Sequence, residues 1–152
     1  MAETNKTMNI VVDDGLRRVP IMNTMGEEIG VFAFRPTDLG IIERFNALVG
    51  QFDQIVEPLL NLDTDAENDN TIYQEALTEA TNRLYTAVNE MFGADMASAF
   101  FGKMKPFSPV DGEFYFQRAL EALGKFINAQ FDAETAKFKK RVEKYTKAVK
   151  RK

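Results

Sequence analysis

From residue 8 to residue 34 the chain alternates apolar and polar positions in short runs, the period of β structure. MNIVV (8–12) predicts a first strand, closed by the hairpin-type turn signal Asp13–Asp14–Gly15. RRVPIM (17–22) predicts a second, which Pro20 confines to a sheet edge or a bulge. Asn23–Thr24–Met25–Gly26 marks another turn. IGVFAF (29–34) predicts a third strand, with Ile29, Val31 and Ala33 on one face and Phe32 and Phe34 on the other. The expected product is a small antiparallel meander that needs helices to cover one face.

From Thr37 the period becomes helical. Ile42, Phe45, Val49, Phe52, Val56 and Leu59 are spaced 3, 4, 3, 4, 3, an a/d seam in which Pro58 predicts a kink or an end. Residues 61–70 (NLDTDAENDN) read as an acidic loop. A second helix is predicted to run through Phe92, with Tyr73, Ala76, Ala80, Leu84, Ala87 and Met91 in line and Gly93 as its C-cap. Ala94–Phe101 predicts a short helix closed by Gly102, and KMKPFSPVDG (103–112) a connector. A long helix is expected from about Glu113. Its first half is thickly apolar, and its second keeps a narrow stripe at Phe131, Phe138, Val142, Tyr145 and Val149. The predicted fold class is α+β, mainly α: a β meander over about 8–34, then a bundle of three longer helices and one short one. The expected organisation is a single domain over 1–152, with a disordered start (1–7), a helical body (35–135) and a basic helical extension (136–152).

Composition sharpens this picture in two ways. Phenylalanine is abundant, 13 of 152 residues, with seven methionines and no tryptophan. One reading is a Phe-rich core. The other gives part of this adaptable apolar surface to a partner, with Met91, Phe92, Met96, Phe100, Phe101, Met104 and Phe107 as candidates. Cysteine and histidine are both absent. That excludes disulfides, thiolate nucleophiles, Cys–zinc and iron–sulfur sites, and removes the commonest general base and metal ligand. No Gly-rich phosphate loop and no Ser or Lys catalytic motif is present, so no enzyme, cofactor or metal is expected. No run reaches 18 apolar residues, and MAETNKTMN lacks the form of a secretory signal, so no membrane span and a cytoplasmic location are expected.

Charge is unevenly laid out. Residues 137–152 carry nine Lys or Arg (Lys137, Lys139, Lys140, Arg141, Lys144, Lys147, Lys150, Arg151, Lys152) against one Glu, a net of +8, and the rest of the chain nets −12. Such a segment can meet nucleic-acid phosphates, an anionic membrane or an acidic protein surface. Its stripe lacks Trp and Leu, which weighs against membrane. The acidic body and the missing aromatic–basic platform weigh against nucleic acid. Residues 53–95 hold ten acidic residues and only Arg83, a net of −9, so this protein's own surface, in the same or a neighbouring subunit, is the best complement. The loop 63–75 imitates an EF-hand at Asp63, Asp65, Glu67 and Asp69, but Asn68 stands where Gly is required and Gln74 where a bidentate Glu is required, so it reads as solvated. Arg35–Asp38 reads as a strand-to-helix joint: Pro36 ends the strand, and Thr37 or Asp38 caps the helix.

The element order carries a resemblance. Phe32, Phe34, Pro36, Thr37 and Asp38 form an F-x-F-x-P-T-D helix start, MFGADMASAFFGKMKPFSP follows (91–109), and a long final helix closes the chain. Over roughly residues 8–135 this resembles the small tail assembly chaperones of long-tailed bacteriophages and prophages. The resemblance implies a non-enzymatic factor that coats the long, helical, apolar tape measure protein and keeps it soluble. It implies help in recruiting tail tube protein, self-association along the client, a place in the host cytoplasm and absence from the finished virion. The alternatives are a structural virion component, such as a head–tail connector or tail completion protein, or a small phage protein binding nucleic acid or a host target through its basic end.

Overall fold

The computed structural model describes residues 8–62 and 70–150. Two strands, β1 (Arg17–Met22) and β2 (Glu28–Phe34), form an antiparallel hairpin. Helices α1 (Leu39–Gly50), α2 (Phe52–Leu60), α3 (Asn70–Phe92) and α4 (Ala97–Phe101) follow. A two-residue ribbon, β3 (Pro109–Val110) with β4 (Glu113–Phe114), leads into the 36-residue helix α5 (Tyr115–Lys150). The architecture is α+β and mainly α, as the periodicity predicts.

The meander has two strands among the described residues, not three. MNIVV joins no ladder. Asp13 and Asp14 explain why: their carboxylates accept the N–H groups of Gly15 (3.0 Å) and Leu16 (3.2 Å). These side-chain bonds turn the chain into an Asx corner in place of a hairpin. Pro20 sits on the edge strand β1, opposite Val31, the first of its two expected settings; the bulge lies further on, between Ile21 and Met22. The β1–β2 turn is closed by Asn23, whose Oδ1 accepts from the N–H of Met25 and of Glu27, both at 2.9 Å.

The predicted a/d seam is displaced by one residue in α1. Ile42 and Val49 are 39% and 44% exposed, whereas Ile41, Leu48 and Ile55 are buried. Apolar residues stand side by side at 41/42 and 48/49, so periodicity alone cannot choose between them; packing on α3 and α5 does. The segment also breaks earlier, at Gln51 after Gly50; Pro58 lies inside α2, which ends two residues later at Leu60, near where the proline predicts an end.

The core is a chain of aromatic contacts. Phe32 meets Phe34, Phe92 and Phe100 at ring-centroid distances of 4.9, 5.0 and 5.4 Å. Phe116 meets Phe107 at 5.1 Å and Phe52 at 5.3 Å. Offset and edge-on pairs at these separations add to area burial. Two glycines let β2 lie directly on the end of α4. A Cβ on Gly30 would stand 2.6 Å from the carbonyl oxygen of Ala99, and one on Gly102 (φ +58) would overlap the carbonyl of Ile29. Across this approach the N–H of Lys103 donates to Ile29 at 3.0 Å.

The connector 103–112 contains a small hairpin that the sequence reading overlooks. Asp111 (φ 50) and Gly112 (φ 83) both take left-handed backbone, turning β3 into β4. The Asp-Gly pair between Val110 and Glu113 is the ordinary signal for such a turn.

Candidate functional site

The Phe/Met cluster that composition offers to a partner is the protein's own interior. Met91, Phe100, Phe101 and Phe107 are buried; Phe92, Met96 and Met104 are half-buried. Phe92 packs on Phe32, Phe34 and Phe100, and Phe101 stacks on Tyr85 at 5.6 Å. The four buried members are therefore not an open surface, and the Phe-rich core is what these residues build.

The polar groups around this core bind elements together. Asp38 caps α1, its Oδ1 accepting from the N–H of Gly40 at 3.1 Å, and its Oδ2 pairs with Arg44 at 2.9 Å. The same Arg44 donates through Nε to the carbonyl of Met91 at 2.8 Å, one of the free acceptors at the end of α3. Arg35 clamps Asp14 through Nε at 2.7 Å. Arg35–Asp38 is thus a joint that holds three segments.

At this same end of α3, Gly93 (φ 72) and Ala94 donate to Glu90 and Asn89, both at 3.2 Å, in a Schellman motif. Asn89 Oδ1 then accepts from the N–H groups of Met96 (2.8 Å) and Ala97 (2.7 Å), which starts α4. Hydrogen bonds from Arg17, Arg35 and Arg44, respectively, hold the carboxyls of Asp13, Asp14 and Asp38 below the ordinary aspartate value. Burial pushes the Tyr115 phenol up. Among the described residues no group of three or more Asp or Glu converges to hold a metal ion, and no described helix is long and apolar enough to cross a membrane. The EF-hand-like positions Asp63–Asp69 lie outside the described residues.

Besides the exposed segment MNIVV, the second half of α5 stands clear of the body. Phe116, Leu120, Leu123 and Ile127 are buried in the body and Phe131 is half-buried, but residues 132–144, 146 and 147 are all exposed. At about 1.5 Å per residue, the helix continues for roughly 28 Å past Phe131. Phe138 (69% exposed) and Val142 (48% exposed) stand exposed there. At about 100° per residue, they fall on the same side of α5 as the four core residues. The core-facing stripe of the helix therefore outruns the core.

A second row accompanies the stripe. Lys137, Lys140, Lys144 and Lys147, spaced 3, 4, 3, line one side of the arm, well round the helix from Phe138 and Val142. Lys137 pairs with Glu134 at 3.7 Å. Lys139, Lys140, Arg141, Lys144 and Lys147 form no ion pair among the described residues. Lys150, Arg151 and Lys152 were expected in the same basic segment; the Lys150 side chain and residues 151–152 lie outside what is described. Sequence periodicity shows both rows. That the body stops short of them it does not show, because that depends on where the other helices end.

No family model, curated protein or solved structure matches the chain.

Proposed function

We propose that this protein is a non-enzymatic tail assembly chaperone of a long-tailed phage, which binds and solubilises the helical tape measure protein and helps recruit tail tube subunits. The motif order at 32–38 and 91–109 prompts this reading. The observation that carries it is the arm of α5, whose exposed Phe138 and Val142 extend a core-type seam beyond the body. A seam of this kind completes itself against another amphipathic helix, the structure a tape measure protein would offer. We take the arm, rather than the largely buried Phe/Met cluster, as the client surface; its exposure supports this. The setting is the host cytoplasm, with no copy left in the finished virion.

Co-expression with the tape measure protein of the same phage tests this. The expected result is a soluble complex that co-purifies with wild-type protein and is lost with Phe138→Ser/Val142→Ser. An insoluble client and no complex would overturn the reading. Mass spectrometry of purified virions distinguishes a chaperone, which should be missing, from a structural component, which should be present.

A further inference from the structure

We infer that the lysine row of the arm docks on the acidic α2–α3 face of a second copy of this chain, so that copies associate head to tail. This goes beyond the client-binding reading and does not rest on it. The donor side is Lys140, Lys144 and Lys147, exposed and without carboxylate partners among the described residues. The acceptor side is the groove of about 420 Å³ between α2 and α3, walled by Glu79 and Glu90 and floored by Ile55 and Ala87. Asp53 and Glu75 lie on the same two helices, one residue before Gln54 and one turn before Glu79, and among the described residues they and Glu90 form no ion pair. The base lining the groove, Arg83, is engaged by Glu79 at 3.1 Å, by Glu57 at 3.8 Å and by the carbonyl of Gln54 at 2.7 Å.

The two sides match in sign, and the donors fit within the length of the groove. Glu79 to Glu90 spans about 16 Å of helix and Lys140 to Lys147 about 11 Å, at roughly 1.5 Å per residue. The arm cannot reach this groove in its own molecule. It is continuous with the helix that packs Phe116 to Ile127 into the core, and it leaves the body without a break. The complement therefore belongs to another copy. Because the two patches differ, the contact is heterologous, and copies can go on adding until a ring closes or a filament forms. The lysine row lies round the helix from Phe138 and Val142, so docking keeps the apolar stripe uncovered.

Sedimentation velocity of the full chain tests the inference. At low salt the wild-type protein should form concentration-dependent species larger than a dimer. These should dissociate towards monomer at 1 M salt, where the Debye length falls to about 3 Å. Lys140→Glu/Lys144→Glu/Lys147→Glu and Asp53→Lys/Glu75→Lys/Glu90→Lys should each weaken self-association at least about tenfold while retaining helical circular dichroism. Mixed one to one, the two variants carry swapped charges and should reassemble. A wild-type protein that stays monomeric at low salt, an association indifferent to salt, or a mixture of folded variants that does not reassemble overturns the inference. Binding of the arm to nucleic acid or to another protein would not reproduce the rescue.

Discussion

Arg83 donates to the carbonyl oxygen of Gln54 at 2.7 Å, the acceptor that Pro58 leaves without its helical N–H. A proline inside a helix removes the bond to the residue four before it. Here a guanidinium from the neighbouring helix takes that place. The acceptor is satisfied although α2 runs only two residues past Pro58, to Leu60, and α3 is tied to α2.

This arrangement predicts coupling between the two residues. Arg83→Ala should cost about 1–2 kcal/mol, the range for hydrogen bonds to charged groups, discounted for partial exposure. In a Pro58→Ala background the restored N–H satisfies Gln54, and the same substitution should cost about 1 kcal/mol less. Urea unfolding of the four proteins of the cycle measures the coupling; strictly additive effects would contradict it.

Acid should loosen the joints at both ends of the hairpin. Asp13, Asp14 and Asp38 have native pKa values lowered from 3.8 by their arginine partners. A lowered native pKa contributes stability above the unfolded value, and that contribution is lost as pH falls through the native one. Stability should accordingly hold at neutral pH and decline from about 3.8 downward. Asp38→Asn keeps a capping oxygen but not the charge facing Arg44, so its urea midpoint should change less over that window.

Gly102→Ala should be among the most damaging small substitutions in the chain. The added methyl meets the Ile29 carbonyl, and the left-handed backbone at φ +58 adds strain. A loss of at least about 3 kcal/mol is expected in thermal or chemical unfolding. Gly50→Ala, where a Cβ meets nothing within 4 Å, should be neutral or slightly stabilising by the same measurement.

Phe101 and Phe138 should separate folding from binding. Phe101 is fully buried against Tyr85 and Phe100, so Phe101→Ala should cost about 3–5 kcal/mol. Phe138 is exposed, so Phe138→Ala should leave stability within about 0.5 kcal/mol while weakening capture of the helical client. Equal stability losses for the two would place Phe138 in the core and remove the arm as a site.

Local rules were enough to read several features. The apolar line of α3 from Ala76 to Met91 (its predicted start, Tyr73, is exposed), its Gly93 cap, the Asp38 cap and the edge position of Pro20 each follow from spacing or backbone restriction. Features that depend on a distant partner were not legible. The choice of Ile41 over Ile42 is made by what packs on α1, and the Gln54 carbonyl that Pro58 leaves open is satisfied by an arginine 25 positions beyond that proline. MNIVV has the composition of a strand, but the side-chain bonds of Asp13 and Asp14 turn the chain before a hairpin can form. The Phe/Met run showed the same limit: composition marks it as adhesive, and only the fold shows that it adheres to itself. The arm was visible as an amphipathic stripe, but its exposure depends on where the other helices end.

Because α5 is one unbroken helix from core to arm, the bearing of its apolar stripe is fixed like the hand of a clock. Adding a single residue between Phe131 and Phe138 would rotate everything beyond it by about 100° without disturbing any core contact, whereas adding seven would return the stripe to within about 20° of its original direction. The angle at which this protein presents itself to whatever it holds is therefore set by a residue count.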